Sequence, residues 1–108
     1  MAQKQAITID QGATFTTSFL FLNSVGDPID FTTYTANSQM RKTYSSSTAH
    51  DFTVALASNG QITIAMSANT TGSITAGRYV YDVEVQDTSG IRTRMVEGIA
   101  TVTPQVTR

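Results

Sequence analysis

Apolar and polar positions alternate along most of this chain with a period of two. In GRYVYDVEV, residues 77–85, Tyr79, Tyr81, Val83 and Val85 fall on one side of an extended strand, and Val80, Asp82 and Glu84 on the other. QITIAM places Ile62, Ile64 and Met66 on one side in the same way. FTTSFLFL aligns Phe15, Thr17, Phe19 and Phe21, while Leu20 and Leu22 are apolar too, which predicts cover on both faces at its far end. The turn signals are SVGDP, SSSTAH, ASNG, TAG and DTSG, with Gly26 and Gly90 expected at positive φ. Between them lie QAITI, ATFTTSFLFLN, YTANSQMRKTY, DFTVAL, QITIAM, RYVYDVEVQ and IRTRMVEGIATVT, runs rich in β-branched and aromatic residues. They predict about seven strands in one all-β domain spanning residues 1–108. Only SANTTGSITAG reads otherwise: Ser67 is placed to cap one helical turn before Gly72, crossing between sheets. The expected core is Phe15, Phe19, Ile62, Ile64, Tyr79, Tyr81, Val83 and Val102.

A three-residue TSG turn joins the last two strands and sets their register. It puts Val85 opposite Thr93 and Val83 opposite Met95 on the inner side, and Gln86 opposite Arg92 and Glu84 opposite Arg94 outside. Glu84 is then expected to pair with Arg94, with Asp82 diagonal to it on a solvated face. Continued unchanged, the register drives Glu97 inward opposite Tyr81, where an unpaired carboxylate is costly. A bulge near Val96–Gly98 that brings Val96 in and turns Glu97 out avoids that cost.

Charged residues are 14% of the chain, against roughly 25% in a typical soluble domain. The net charge is −1, which supplies no electrostatic footprint for nucleic acid. There is no cysteine and a single histidine, which excludes disulfides, thiolate catalysis and cysteine-ligated metal sites. No stretch has signal-peptide or membrane-spanning character, so synthesis in a reducing cytoplasm is expected, with no membrane partner.

Few residues invite a chemical reading. Asp82 and Glu84 stand two apart on one strand face, but glycosidase chemistry also needs a cleft and sugar platforms, and the chain has no Trp. His50 closes a Ser/Thr-rich loop without a nucleophile elbow. Asp27 and Asp30 lack the alternating oxygen ligands of a calcium loop. Asn69-Thr70-Thr71 matches a glycosylation sequon by pattern only. No catalytic, cofactor-binding or metal-binding residue and no cofactor is assigned.

Two resemblances extend this reading. Ala76-Gly77-Arg78-Tyr79-Val80-Tyr81 resembles the start of strand F in immunoglobulin-like domains. It implies a tyrosine corner at Tyr79, with Tyr81 in place of the usual cysteine. Over nearly the whole chain, GDPIDFTTYTANSQMRKTYSS and then GQITIAMSANTTGSITAGRYVYDVEVQDTSGIRTRMVEGIATVTPQVTR resemble small β-sandwich accessory proteins of tailed bacteriophages. Pro28, Ile29, Asp30, Thr32, Tyr34, Thr35, Arg41, Gly77, Tyr79, Tyr81, Asp82, Gly98, Val102, Pro104, Val106 and Arg108 carry that likeness. Thr33 stands where that family usually has Gly, and Gln105 where Glu is common.

The expectation is an immunoglobulin-like β-sandwich of about seven antiparallel strands with one short helical turn. The phage resemblance implies a non-enzymatic virion protein in multiple copies, joined to other tail, baseplate or capsid proteins. The leading placement is a tail or baseplate adaptor or fibre-attachment protein, similar in layout to the N-terminal domain of baseplate upper proteins. The alternatives are a capsid decoration protein and a carbohydrate-binding host-attachment module, for which Tyr34 and Tyr44 are the candidate platforms. Extended ends that can add to a neighbour's sheet make Gln3, Gln5, Pro104, Val106 and Arg108 candidate partner contacts, with Glu97 displayed at the bulge.

Overall fold

The computed structural model describes residues 3–106. Its longest elements are β8 (Gly77–Gln86) and β9 (Arg92–Thr103), joined by the predicted turn with Gly90 at φ 85°. The Asp87 carboxylate accepts from the backbone N–H groups of Ser89 and Ile91 and closes that turn. β8 is central in its sheet, flanked by β9 and by β4 (Thr35–Arg41), and its inward residues Tyr79, Tyr81, Val83 and Val85 are all buried.

Five further strands are β1 (Gln3–Lys4), β2 (Ile7–Asp10), β3 (Phe15–Leu20), β5 (Ala49–Asp51) and β6 (Thr53–Leu56); β7 (Gln61–Met66) and helix α1 (Ala68–Gly72) complete the elements. The larger sheet runs β1-β9-β8-β4-β5, with β2 also on β9, and the smaller runs β3-β7-β6. α1 links β7 in one sheet to β8 in the other, and Ser67 caps it by accepting from the Thr70 N–H at 3.3 Å, as expected. The Tyr79 hydroxyl donates to the Thr75 carbonyl at 2.6 Å, which is the tyrosine corner. Two facing sheets, a helical crossing and that corner define an immunoglobulin-like β-sandwich.

Several expectations need correction. β1 and β2 run parallel to β9, so pairing is not antiparallel throughout. The β8–β9 register holds through Glu84↔Arg94 and then shifts to Val83↔Val96, leaving Met95 as the extra residue. The bulge therefore lies ahead of Val96–Gly98, yet it brings Val96 into the core and sets Glu97 opposite Asp82 on the outer side. Leu20 and Leu22 are about half exposed, because no described residue covers the outer side of the chain there. Phe15 is only partly buried, packed against Phe52 at the rim of the core.

The core lies between the sheets, where Ile62 and Ile64 of the smaller meet Met40, Val83 and Val96 of the larger. Phe31, Phe52 and Ile74 join them from outside the strands.

Candidate functional site

The outer face of the larger sheet gathers most of the chain's strand-borne charge. Period-two alternation points Asp82 and Glu84 outward from β8, and the Met95 bulge brings Glu97 alongside. Arg94 Nε lies 3.4 Å from Asp82 Oδ2, and Arg94 Nη1 lies 4.0 Å from Glu97 Oε2. The expected Glu84–Arg94 ion pair is replaced by these two, although the residues do face each other in the ladder. Burial raises the Asp82 carboxyl above its ordinary value; Glu84 adds to the rise and Arg94 opposes it. Beside them Arg41 donates to the Ser46 carbonyl at 2.6 Å and to Gln39 Oε1, and Gln39 donates on to Asp51 Oδ1. Gln39, Arg41, Asp82, Glu84, Arg94 and Glu97, with Tyr44, border an open hollow of about 280 Å³. With three carboxylates around Arg41 and Arg94, it can receive a cationic side chain.

The N-terminal segment forms a second feature. Gln3 sits exposed on β1, opposite Val96. Gln5 donates its N–H to the Glu97 carbonyl at 2.9 Å and accepts the Tyr81 hydroxyl on its own carbonyl. Burial pushes the Tyr81 hydroxyl up to about 12. Gly98 permits this approach, since a Cβ there would stand 2.2 Å from the Gln5 carbonyl oxygen. Both glutamines are thus tied to their own sheet by main-chain bonds. Both also line an open seam of about 570 Å³ between β2 and β3, the facing edges of the two sheets.

Beyond β9, Pro104 is exposed and Val106 is 93% exposed, while Gln105 donates its N–H to Gln11 Oε1 at 2.9 Å. Arg108 lies outside the described residues. The partner-contact candidates therefore do not form one site: Glu97 belongs to the charged face, Gln3 and Gln5 to the seam, and Pro104 and Val106 to the exit of β9.

The remaining candidates serve local structure. Asp30 accepts from the backbone N–H and hydroxyl of Thr32, and these bonds hold its carboxyl below the ordinary value. Asp27 is bound through its backbone to Asn23, with Gly26 at φ 90°. His50 lies in strand β5 rather than in a loop, its ring edge-on to Tyr79. Tyr34 packs against Phe31, whereas Tyr44 is 78% exposed. Among the described residues, no group of three His, Cys, Asp or Glu side chains is placed to hold a metal ion.

A polar node escaped sequence reasoning. The Thr71 hydroxyl is fully buried, donates to the Ala13 carbonyl at 2.8 Å and accepts from the Gly12 N–H at 3.1 Å. Gln11 reaches from the same turn to the Ile74 carbonyl at 2.8 Å. A Thr inside SANTTGS gives no signal of burial, because its partners lie some sixty residues away.

The sequence matches no protein-family model and no curated protein. Solved structures similar to it include a Listeria monocytogenes internalin-like protein, 17% identical, matched over 94% of this chain with a TM-score of 0.48. This chain spans 28% of that protein's length. Another is the extracellular domain of the voltage-gated sodium channel β4 subunit, 12% identical, matched over 98% of this chain and 96% of its own, with a TM-score of 0.47. That domain is described as a parallel homodimer with a role in cell–cell adhesion.

Proposed function

We propose that this chain is a non-enzymatic interaction module, and specifically a structural protein of a tailed-phage particle acting as a tail or baseplate adaptor. One observation carries the reading. Several of the residues that give the chain its phage-protein likeness hold the sandwich together. Asp30 closes a turn on Thr32, Tyr79 makes the corner with Thr75, and Tyr81 anchors the Gln5 carbonyl across Gly98. A family that shares such residues shares a scaffold, and a scaffold with open sheet edges serves assembly. The carbohydrate-binding alternative is weakened, since Tyr34 is half-buried with its ring edge-on to Phe31.

Mass spectrometry of purified particles, followed by a low-resolution map with the protein tagged, tests the placement. Density at the tail tip or baseplate is the expected result. Density on the capsid lattice transfers the protein to the decoration class, and absence from particles overturns the virion assignment. Asp82→Asn, Glu84→Gln and His50→Ala are expected to incorporate like the wild type. A hydrolytic activity lost in any of them would overturn the non-enzymatic reading.

A further inference from the structure

Charge in this molecule is segregated by sheet. None of its seven Lys and Arg or eight Asp and Glu residues lies in β3, β6, β7 or α1. The outward positions of the smaller sheet are Thr16, Ser18 and Leu20 on β3, Gln61, Thr63 and Ala65 on β7, and Thr53 and Ala55 on β6. Sheet edges are ordinarily blunted by charge, proline or a bulge. β3 carries none of the three: it has no charged residue and no proline, and it pairs with β7 without a register shift.

The free edge of β3 has a definite hydrogen-bonding pattern. Phe21 donates to the Gly60 carbonyl, so Phe21 and Gly60 are a bonded pair on the line of the β3–β7 register. Alternation then directs the main-chain groups of Phe15, Thr17 and Phe19 to β7 and those of Thr16, Ser18 and Leu20 away from it. The 2.7 Å contact between the Ser18 and Thr63 hydroxyls fits this, since side chains approach most closely across non-bonded pairs. Among the described residues, no hydrogen bond satisfies the outward groups of Thr16, Ser18 and Leu20. On this side lies the open seam against β2.

We infer that β3 is a self-association edge, where a second copy of this chain adds antiparallel to give one continuous sheet through two β3 strands. The set of outward residues is its own complement. A two-fold axis at Ser18 pairs Ser18 with the partner's Ser18 and Thr16 with the partner's Leu20, and every pair falls at a bonded position. The same operation brings no charge against another, because the strand has none. A foreign strand would need matching length and neutrality, whereas a second copy supplies both. This inference is independent of the placement in a phage particle.

Sedimentation of the full chain over a concentration series is expected to show a monomer–dimer equilibrium. Ser18→Lys places two ammonium groups face to face at the axis and is expected to weaken the dimer about 10-fold or more, with the thermal melt confirming the fold. Ser18→Cys introduces the chain's only thiol, at a pair whose Cα separation of about 5.5 Å suits a disulfide. It is expected to cross-link under mild oxidation, and Thr53→Cys on the distant β6 edge is expected not to. If Ser18→Lys fails to fold, the cysteine pair decides. A monomer up to millimolar concentration, a dimer indifferent to Ser18→Lys, or equal cross-linking from Thr53→Cys would each overturn the inference. So would a chain that stays monomeric but takes up a foreign peptide strand at β3.

Discussion

Asp82 and Asp30 are chemically alike, and their surroundings drive them in opposite directions. Burial among carboxylates raises Asp82, so the folded state binds its proton more tightly than the unfolded state does. Its favourable contribution is therefore complete below the unfolded pKa and is lost as pH rises through the folded one. Asp82→Asn is expected to melt at or above the wild-type temperature at pH 7, with the difference closing below the ordinary value of 3.8. A lower melting point for Asp82→Asn at pH 7 would mean that Arg94 outweighs burial. Asp30 carries the opposite sign: its bonds from Thr32 contribute above the unfolded pKa and are lost as pH falls through the depressed folded value. Asp30→Ala should then melt lower than wild type at neutral pH, and its deficit should shrink in acid. For Tyr81 the window is alkaline. Burial lifts its hydroxyl from 10.0 to about 12, so its contribution is complete below 10.0 and is lost as pH rises through about 12. Tyr81→Phe leaves the Gln5 carbonyl without its donor and should cost about 1–3 kcal/mol in denaturant unfolding.

β9 shows which parts of an element its own sequence encodes. The DTSG turn and the outer pairs Glu84↔Arg94 and Gln86↔Arg92 were legible because turn chemistry fixes the register of nearby residues. The need for a bulge was legible from the cost of burying Glu97. Its position was not, because placing the extra residue at Met95 or farther on serves the same end. Choosing Met95 also gives Arg94 to Asp82 and Glu97 in place of Glu84, so the charged face was legible in membership and not in pairing. Phe31, Phe52 and Ile74 were missed as core residues because they lie outside the strands, where burial follows packing rather than alternation. The parallel docking of β1 and β2 on β9 was missed because its partners are more than ninety positions apart. Gly98 reads as a bulge glycine, yet its role is to admit the Gln5 carbonyl. Gly98→Ala should force that carbonyl off Tyr81 and cost about 1–3 kcal/mol. Amide exchange at Gln5 would report the change directly. Protection there equal to wild type would show that the β1 segment does not depend on this approach.

At the scale of the whole molecule, the two sheets must be joined at their open ends as well as across their cores, and the polar node at Gln11–Ala13 does this. Thr71 ties α1, the crossing between sheets, to the turn between β2 of one sheet and β3 of the other. Gln11 extends the tie to the chain after α1 through Ile74 and to the residues beyond β9 through Gln105. Three segments distant in sequence thus meet through two side chains, at the end of the β2–β3 seam. Such a node resists opening of the sandwich, because separating the sheets breaks all of its bonds together. Thr71→Val keeps the shape and removes the hydroxyl, leaving the Gly12 N–H and the Ala13 carbonyl without their partner. The expected loss is about 1–3 kcal/mol in denaturant unfolding. Exchange should rise together at Gly12, Ile74 and Gln105, the segments that the node joins. Ser73→Ala, which removes an exposed bond to the Thr70 carbonyl one turn away, should leave all three as they are in the wild type. If Thr71→Val unfolds at the wild-type midpoint, the crossing helix contributes only connection, and the sheets are held together by their core alone.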